Sequence, residues 1–326
     1  MKKMIIILLA LLLLLASCSV TVNRPTTEKD KPYVICTIFP QYDFVKNIVG
    51  DTMTVELLMP YGSETHNFGV KDISAAHLEK MQSADLIVAV GGESDEQMLD
   101  ELKTALGNAN TRFVSITEMI SDLLNEEETG GMGVDGTHEE HDEDEEEEEF
   151  DEHVWTSPKR AIEIVDGLLP ELISLKPENK QLYTTNEQNY RAQLAALDQR
   201  YTETLKNKTF DTLIFADRFP FRYLCYDYGI KADAAFQGCS SSIEPSIATL
   251  DYLYNKAQSL GLPAILYMEG SNPQYAEQLA ARIGGQALLL HSCHILKEAE
   301  ANMGYIGLLT QDLEVLKIAL GVKEQA

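Results

Sequence analysis

The stretch YVICTIFPQYDFVKNIVGDTMTVELLM, residues 33–59, decides the fold. Its apolar runs Tyr33–Phe39 and Thr54–Met59 predict strands, and the pattern of Tyr42–Val49 between them predicts a helix. A strand, a helix and a second strand in this order are typical of a parallel sheet. The same alternation continues to about residue 116 and returns after residue 210. The sequence therefore predicts an α/β protein with two lobes, each with a mainly parallel sheet flanked by helices.

Further segments extend this alternation through both lobes. The predicted strands are Leu86–Val90, Arg112–Ile116, Thr212–Ala216, Lys231–Phe236, Ala264–Met268 and Ala287–Leu290, and the predicted helices are Lys71–Gln82, Asp95–Leu106, Pro220–Tyr228, Ser246–Leu260, Tyr275–Ile283 and Gly307–Leu320.

The segment between the lobes predicts one long helix. Its apolar residues recur at helical spacing without an intervening Gly or Pro, namely Tyr183, Tyr190, Leu194, Leu197, Tyr201 and Leu205. About 25 residues at 1.5 Å each measure about 37 Å, which is enough to join two lobes as a rigid linker and to limit hinge motion. We therefore predict a first lobe at 33–177, a linker helix at 178–206 and a second lobe at 207–326.

The N-terminus predicts export and lipid attachment. Lys2 and Lys3 precede the apolar run Met4–Leu15, which is shorter than the roughly 20 residues of a membrane-spanning helix and is typical of a signal peptide. Leu15 to Cys18 resembles a bacterial lipobox. We expect a lipoprotein signal peptide at 1–17, a lipid on Cys18 and a polar tether at 18–32, with the protein anchored at the extracytoplasmic face of the cell membrane.

The net charge of −26 comes largely from one insert. Of the 52 acidic residues, 16 lie between Glu126 and Glu152, where there is no Lys or Arg. The rest of the chain has 36 acidic and 26 basic residues, and therefore a net charge of −10. An acidic chain without a basic patch argues against nucleic acid as a partner. We expect residues 126–149 to be disordered. The insert either keeps the protein soluble or, through His138 and His141 among carboxylates, collects cations.

Histidines after predicted strands suggest a metal site. His66 follows the second strand, His153 follows the acidic insert, and His291 and His294 follow the last strand. The carboxyl ends of parallel strands are where such sheets bind ligands, and His beside Asp, Glu or Cys is typical of metal ligands. His77, within a predicted helix, is interpreted as a surface or packing residue.

The sequence resembles the zinc- and manganese-binding lipoproteins of metal-uptake ABC transporters, the cluster A-I solute-binding family. The resemblance runs from about residue 33 to the C-terminus and is strongest in the first lobe. It rests on residues 37–44 (TIFPQYDF), 60–66 (PYGSETH), 71–73 (KDI), 84–88 (ADLIV) and 151–158 (DEHVWTSP), together with the acidic insert. It implies two α/β lobes, a rigid linker helix and one metal in the cleft, with His66 and His153 at the first two ligand positions.

The second lobe departs from the family pattern. Arg218 stands where the resemblance implies a His or Glu ligand, and a guanidinium cannot ligate a metal. The fourth position falls near Cys293 or His294, while Cys239 and Glu269 are further replacements. In one interpretation, His66, His153 and His294 are joined by a thiolate of Cys239 or Cys293.

Two other interpretations of the second lobe stay open. In one, Cys239 and Cys293 form a disulfide, and a water or carboxylate completes the site of the three histidines. In the other, Arg218 indicates a different ligand, a chelated metal with negative charge.

The resemblance implies a binding protein and no enzyme. The expected function is capture of Zn²⁺, as transported ligand, and its delivery to a membrane ABC permease by a monomeric protein. Soft Cys and His residues favour zinc over manganese. The alternatives are a manganese-binding protein of the same family, a surface adhesin and, least favoured, a secreted zinc hydrolase. The sequence contains neither a His-Glu-x-x-His helix nor a Gly-x-Ser-x-Gly elbow.

Overall fold

Two four-stranded parallel sheets organise the protein in a computed structural model, which describes residues 31–63, 68–107, 110–126, 129–132, 150–238 and 244–323. The first sheet contains β1 (Tyr33–Cys36), β2 (Thr54–Leu57), β3 (Leu86–Ala89) and β4 (Arg112–Ser115) in the order β2-β1-β3-β4. The β1 and β3 strands are fully buried, as expected of inner strands covered on both faces.

The helices of the first lobe lie between these strands. They are α1 (Phe39–Val49), α2 (Ala75–Met81), α3 (Glu93–Leu106) and, after the last strand, α4 (Pro158–Leu175). The predicted helix Lys71–Gln82 is divided into a 3-10 turn at Val70–Asp72 and α2. The cause is Ser74, whose backbone is extended and whose side chain accepts a hydrogen bond from the His77 N–H and so caps α2.

The linker helix α5 (Lys180–Leu205) is 26 residues long and confirms the predicted helix. It contacts both lobes, because the Tyr190 hydroxyl donates to Asp43 in α1 at 2.7 Å and the Tyr201 hydroxyl donates to the Leu309 carbonyl at 2.5 Å. Residues Pro32–Ala326 form one compact unit, so the lobe boundaries near residues 177 and 206 stay predictions.

The second sheet repeats the topology of the first. It contains β5 (Thr212–Phe219), β6 (Lys231–Gln237), β7 (Ala264–Met268) and β8 (Gln286–Leu290) in the order β6-β5-β7-β8. Its helices are α6 (Arg222–Tyr228), α7 (Ile247–Leu260), α8 (Gln274–Ile283), α9 (Glu298–Ala301) and α10 (Gly304–Ala319). The predicted two-lobe α/β class is therefore confirmed.

One apolar core is shared by the lobes and the linker. Its largest cluster includes Val34 and Phe44 of the first lobe, Tyr183 of the linker, and Phe215 and Tyr305 of the second lobe. Within the described part of the chain, no helix is both long and apolar enough to span a bilayer. The predicted signal peptide, the lipid site Cys18 and nearly all of the tether lie outside the described residues.

The acidic insert begins and ends beside the first lobe. Asn125 and Phe150 form an antiparallel bridge, and Asp151 N–H donates to the Leu124 carbonyl at 2.8 Å. Gly130 then reaches the second lobe, where its carbonyl accepts from Ala234 of β6 at 3.0 Å. Residues 127–128 and 133–149, including His138 and His141, lie outside the described residues, so the disorder predicted for the insert stays a prediction there. Thr129–Met132 are described, and Gly130 among them is hydrogen-bonded to β6.

Candidate metal centre

His153 is fully buried where the chain enters the second half of the first lobe. A 3-10 turn at Val154–Thr156 follows it, and α4 begins at Pro158. The Asp151 carboxylate accepts from the His153 backbone N–H at 2.9 Å and lies 3.1 Å from the ring Nδ1. A carboxylate beside Nδ1 fixes the tautomer of the ring, so Nε2 is the nitrogen with the right protonation state to ligate a metal.

The charge around His153 opposes the effect of its burial. Burial lowers the pKa of His153, but Asp151, followed by Glu152 and Glu126, outweighs this effect and the pKa is raised above its ordinary value. The carboxylates therefore create a negative environment at the imidazole. Such an environment suits a bound cation.

His294 of the second lobe meets His153 of the first. The two ring centroids are 5.2 Å apart with an interplanar angle of 69°. Trp155 lies against both rings, at 4.7 Å from His294 and 5.5 Å from His153. Its indole N–H donates to the Ser292 carbonyl at 2.7 Å, and the Tyr305 hydroxyl donates to the Trp155 carbonyl at 2.5 Å. The fold thus joins two of the five predicted metal ligands across the lobes.

His66 and Cys239 lie outside the described residues, but their neighbours in sequence lie beside the histidine pair. His294 lines a cavity with Pro60 to Gly62 and a second cavity with Phe68. The Gly62 N–H donates to the Leu296 carbonyl at 2.8 Å. A Cβ placed on Gly238 would lie 2.7 Å from Cε1 of His153. Described residues that flank His66 in sequence therefore lie near His294, and the residue that precedes Cys239 lies beside the His153 ring.

Cys293 lies in the apolar core. Its thiol is free and fully buried, and it belongs to the same cluster as Leu290 and Tyr305. Burial, followed by the charges of Glu269 and other acidic residues, raises the pKa of this thiol well above its ordinary value. The Cys293 side chain thus packs within the apolar core, and among the described residues it is not part of a metal-binding group. Its state as a free thiol gives no support to a disulfide with Cys239.

Glu269 and Arg218 are both buried, at 4% exposure each. Both oxygens of Glu269 accept hydrogen bonds from the loop Ser292–Ile295, so this carboxylate is engaged in holding the loop. Arg218 lies on β5 opposite Phe236 of β6. Its neighbour Asp217 accepts from the Met268 N–H at 3.0 Å.

His291 and His77 have structural partners. Nδ1 of His291 lies 2.7 Å from Oδ1 of Asp312 in α10, and burial raises the pKa of Asp312 to about 6. This pair fastens the end of β8 to α10. His77 lies on α2 with Nε2 at 2.6 Å from Glu56 of β2.

Asp95 is a cavity residue that sequence reasoning did not single out. It lines the same cavity as His294 and accepts from the N–H groups of Val90, Gly91 and Gly92 at 2.9–3.3 Å. Burial raises its pKa to about 6. Asp151 and Trp155 were likewise not assigned a role, although each lies two residues from His153 in sequence, and this proximity is the signal that could have identified them.

Among the residues that the structure describes, no three His, Cys, Asp or Glu side chains are gathered as a metal-binding group. The described part of the candidate centre is therefore the His153–His294 pair with the neighbouring carboxylates and Trp155.

Comparison with known proteins decides the family. The model described as zinc-uptake complex component A, periplasmic (ZnuA), matches residues 34–319. The chain belongs to this family. One similar protein is the high-affinity zinc uptake system protein ZnuA of Bacillus subtilis. It is 32% identical to this chain over 323 residues, which cover 97% of each chain.

Two further matches are a streptococcal protein and the crystal structure of one of its domains. The zinc-binding lipoprotein AdcA of Streptococcus pneumoniae is 32% identical over 97% of this chain, which spans 61% of that protein. The crystal structure of the Zn(II)-bound ZnuA-like domain of AdcA matches with a TM-score of 0.69 and 28% identity, covering 89% of this chain and 99% of the domain. The resemblance stated from sequence and the two-lobe fold of the ZnuA family are therefore confirmed.

Proposed function

We propose that this protein captures Zn²⁺ between its two lobes and delivers it to the permease of an ABC uptake system. The observation that carries the proposal is the His153–His294 pair, whose ring centroids are 5.2 Å apart. Two imidazoles on one tetrahedral zinc, at Zn–N distances of about 2.0–2.1 Å, have centroids about 5 Å apart. Membership of the ZnuA family and the zinc-binding relatives support the same conclusion.

The proposed ligands are His66, His153 and His294, with a fourth position taken by Cys239, a carboxylate or water. The flanks of His66 and Cys239 support their inclusion, because Gly62 bonds the His294 loop and Gly238 lies against the His153 ring. Cys293 is left out because its thiol faces the core. Imidazole ligands favour Zn²⁺ over Mn²⁺, which prefers oxygen ligands.

Calorimetry with purified protein tests the proposal. Wild type should bind one Zn²⁺ tightly, and His153→Ala should weaken binding by at least about a hundredfold, since one of the few direct ligands is lost. His77→Ala is the matched control, because His77 bonds Glu56 on the surface of the first lobe. Tight zinc binding by a His153→Ala, His294→Ala double variant would refute this site. Tighter binding of Mn²⁺ than of Zn²⁺ by wild type would refute the zinc assignment.

The protein is proposed to act as a lipid-anchored monomer outside the cytoplasm, and as a binding protein without catalytic activity. The lipobox-like residues ending at Cys18 support the anchor. Cys18→Ala should move the protein from the membrane fraction to the medium. Retention of that variant in the membrane fraction would contradict lipid anchoring at this residue.

The acidic insert is proposed to raise the cation concentration near the cleft. Its two ends support this role, since Phe150 directly precedes the Asp151–His153 segment and Gly130 contacts β6. Replacing residues 133–149 with a Gly/Ser linker of equal length should remove weak additional zinc binding and leave the tight site intact. The Thr129–Met132 contact with β6 is retained in this variant. Unchanged weak binding would favour a purely solubilising role.

A further inference from the structure

The loop that carries His294 has an unusual backbone. Cys293 has φ of 64°, and among the described residues it is the one non-glycine residue with positive φ. A residue with a Cβ is disfavoured in this left-handed region. The chain bends at 293–295, and the ring of His294 contacts His153 and Trp155.

Glu269 directly follows β7, and its carboxylate accepts several hydrogen bonds from the loop Ser292–Ile295. Its Oε2 accepts from the Ser292 N–H at 2.7 Å. Its Oε1 accepts from the Ser292 hydroxyl at 2.7 Å, from the His294 N–H at 2.9 Å and, more distantly, from the Ile295 N–H at 3.3 Å. Successive N–H groups around a left-handed residue form a concave anion-binding nest. Here the anion in the nest is the protein's own carboxylate.

The position of Glu269 follows from the sheet. Strands β7 and β8 are parallel neighbours in register from Ala264–Gln286 to Met268–Leu290. Glu269 therefore lies beside the start of the loop that follows β8. Because the carboxylate is only 4% exposed, its hydrogen bonds to the loop compete little with water.

We propose that Glu269 is a positioning residue that holds His294 in place to bind the metal, and that Cys293 serves through its backbone conformation and not as a ligand. This inference rests on the proposed zinc site. Glu269 and Cys293, which the sequence offered as candidate ligands, would then support the ligand His294 and not bind the metal themselves.

Zinc affinity, measured by competition with a chromogenic chelator, tests the role of Glu269. Glu269→Gln keeps the shape but removes the charge and one acceptor, and should weaken binding roughly 10–100-fold, the usual effect of losing a group that supports a ligand. Glu277→Gln, an exposed residue of α8, is the matched control and should bind as wild type. In a His294→Ala background, Glu269→Gln should cause less than about a twofold further loss, because both changes act through the same ligand.

Cys293→Gly tests the role of the backbone. Glycine adopts positive φ without steric cost, so this variant should keep zinc affinity within about threefold of wild type. Cys225→Ala controls for loss of a buried thiol elsewhere. Spectra of the Co²⁺-substituted protein should lack a thiolate-to-metal charge-transfer band from Cys293, and therefore be unchanged by Cys293→Gly.

The outcomes separate this inference from the proposed function. If wild type does not bind zinc, or His294→Ala binds as wild type, the proposed site fails. If His294→Ala weakens binding but Glu269→Gln does not, the positioning role is wrong. If Cys293→Gly abolishes binding while its thermal unfolding matches wild type, Cys293 is a ligand and the backbone role is wrong.

Discussion

The two lobes hold their histidines by different means. In the first lobe, Asp151 contacts both the backbone N–H and the ring Nδ1 of His153. In the second lobe, Glu269 contacts the backbone N–H of His294, and the ring is bordered by His153 and Trp155. The first arrangement fixes which nitrogen of the His153 ring is held by a carboxylate, and the second fixes the position of the loop that carries the His294 ring. The proposed metal centre thus combines a chemical constraint on one ring with a positional constraint on the other.

The largest effect on this contrast is expected from Asp151→Asn. The amide keeps the size of the side chain but removes the charge beside Nδ1, so zinc affinity should fall about 10–100-fold. Calorimetry measures the change, with Asp100→Asn as control because Asp100 is exposed on α3. An unchanged affinity would mean that the ring of His153 needs no carboxylate partner.

A smaller effect is expected from Gly238→Ala, which tests whether the second lobe also constrains His153. The added Cβ would lie 2.7 Å from Cε1 and 3.2 Å from Nδ1 of His153. Moving the ring away should weaken zinc binding by about tenfold, since supporting contacts typically contribute this much. Gly69→Ala is the control, because nothing lies within 4 Å of a Cβ there. Equal affinities for the two variants would show that the ring has room to move.

The smallest effect on affinity is expected from Trp155→Phe. This change removes the indole donor to the Ser292 carbonyl, a bond of 2.7 Å that joins the lobes. Leaving a buried carbonyl unpaired should lower the free energy of unfolding by about 1–3 kcal/mol. Urea unfolding measures that loss, and chelator competition should give only a few-fold change in zinc affinity. A loss of affinity as large as that of Asp151→Asn would assign Trp155 a greater part in positioning the rings.

Much of the fold could be predicted from the sequence because its strands are short apolar runs. Ala264–Met268 was predicted with both ends correct, and the linker stripe of tyrosines and leucines identified α5. The helix α4, Pro158–Leu175, was not predicted, although Pro158 at its start and the buried Ile164, Val165 and Leu168 are a regular helical signal.

The site could be predicted only in part. His294 was predicted as a ligand from its place after a strand, and His153 from its acidic neighbours after the insert and from the family resemblance. The structure brings their rings together. The core position of Cys293 could not be predicted, because it depends on a left-handed backbone that a non-glycine residue rarely adopts. The engagement of Glu269 depends equally on the neighbouring loop after β8, which no local pattern in the sequence specifies.

The shared apolar core has a consequence for how the proposed zinc ligand would be released. Because one buried cluster runs from Val34 through Tyr183 of the linker to Tyr305, neither lobe can come apart without exposing part of the other. Loss of structure should therefore be cooperative across the whole body. Release by unfolding of a single lobe would require most of the free energy of global unfolding. Release of the proposed metal would then depend on small displacements of the segments that carry the two histidines.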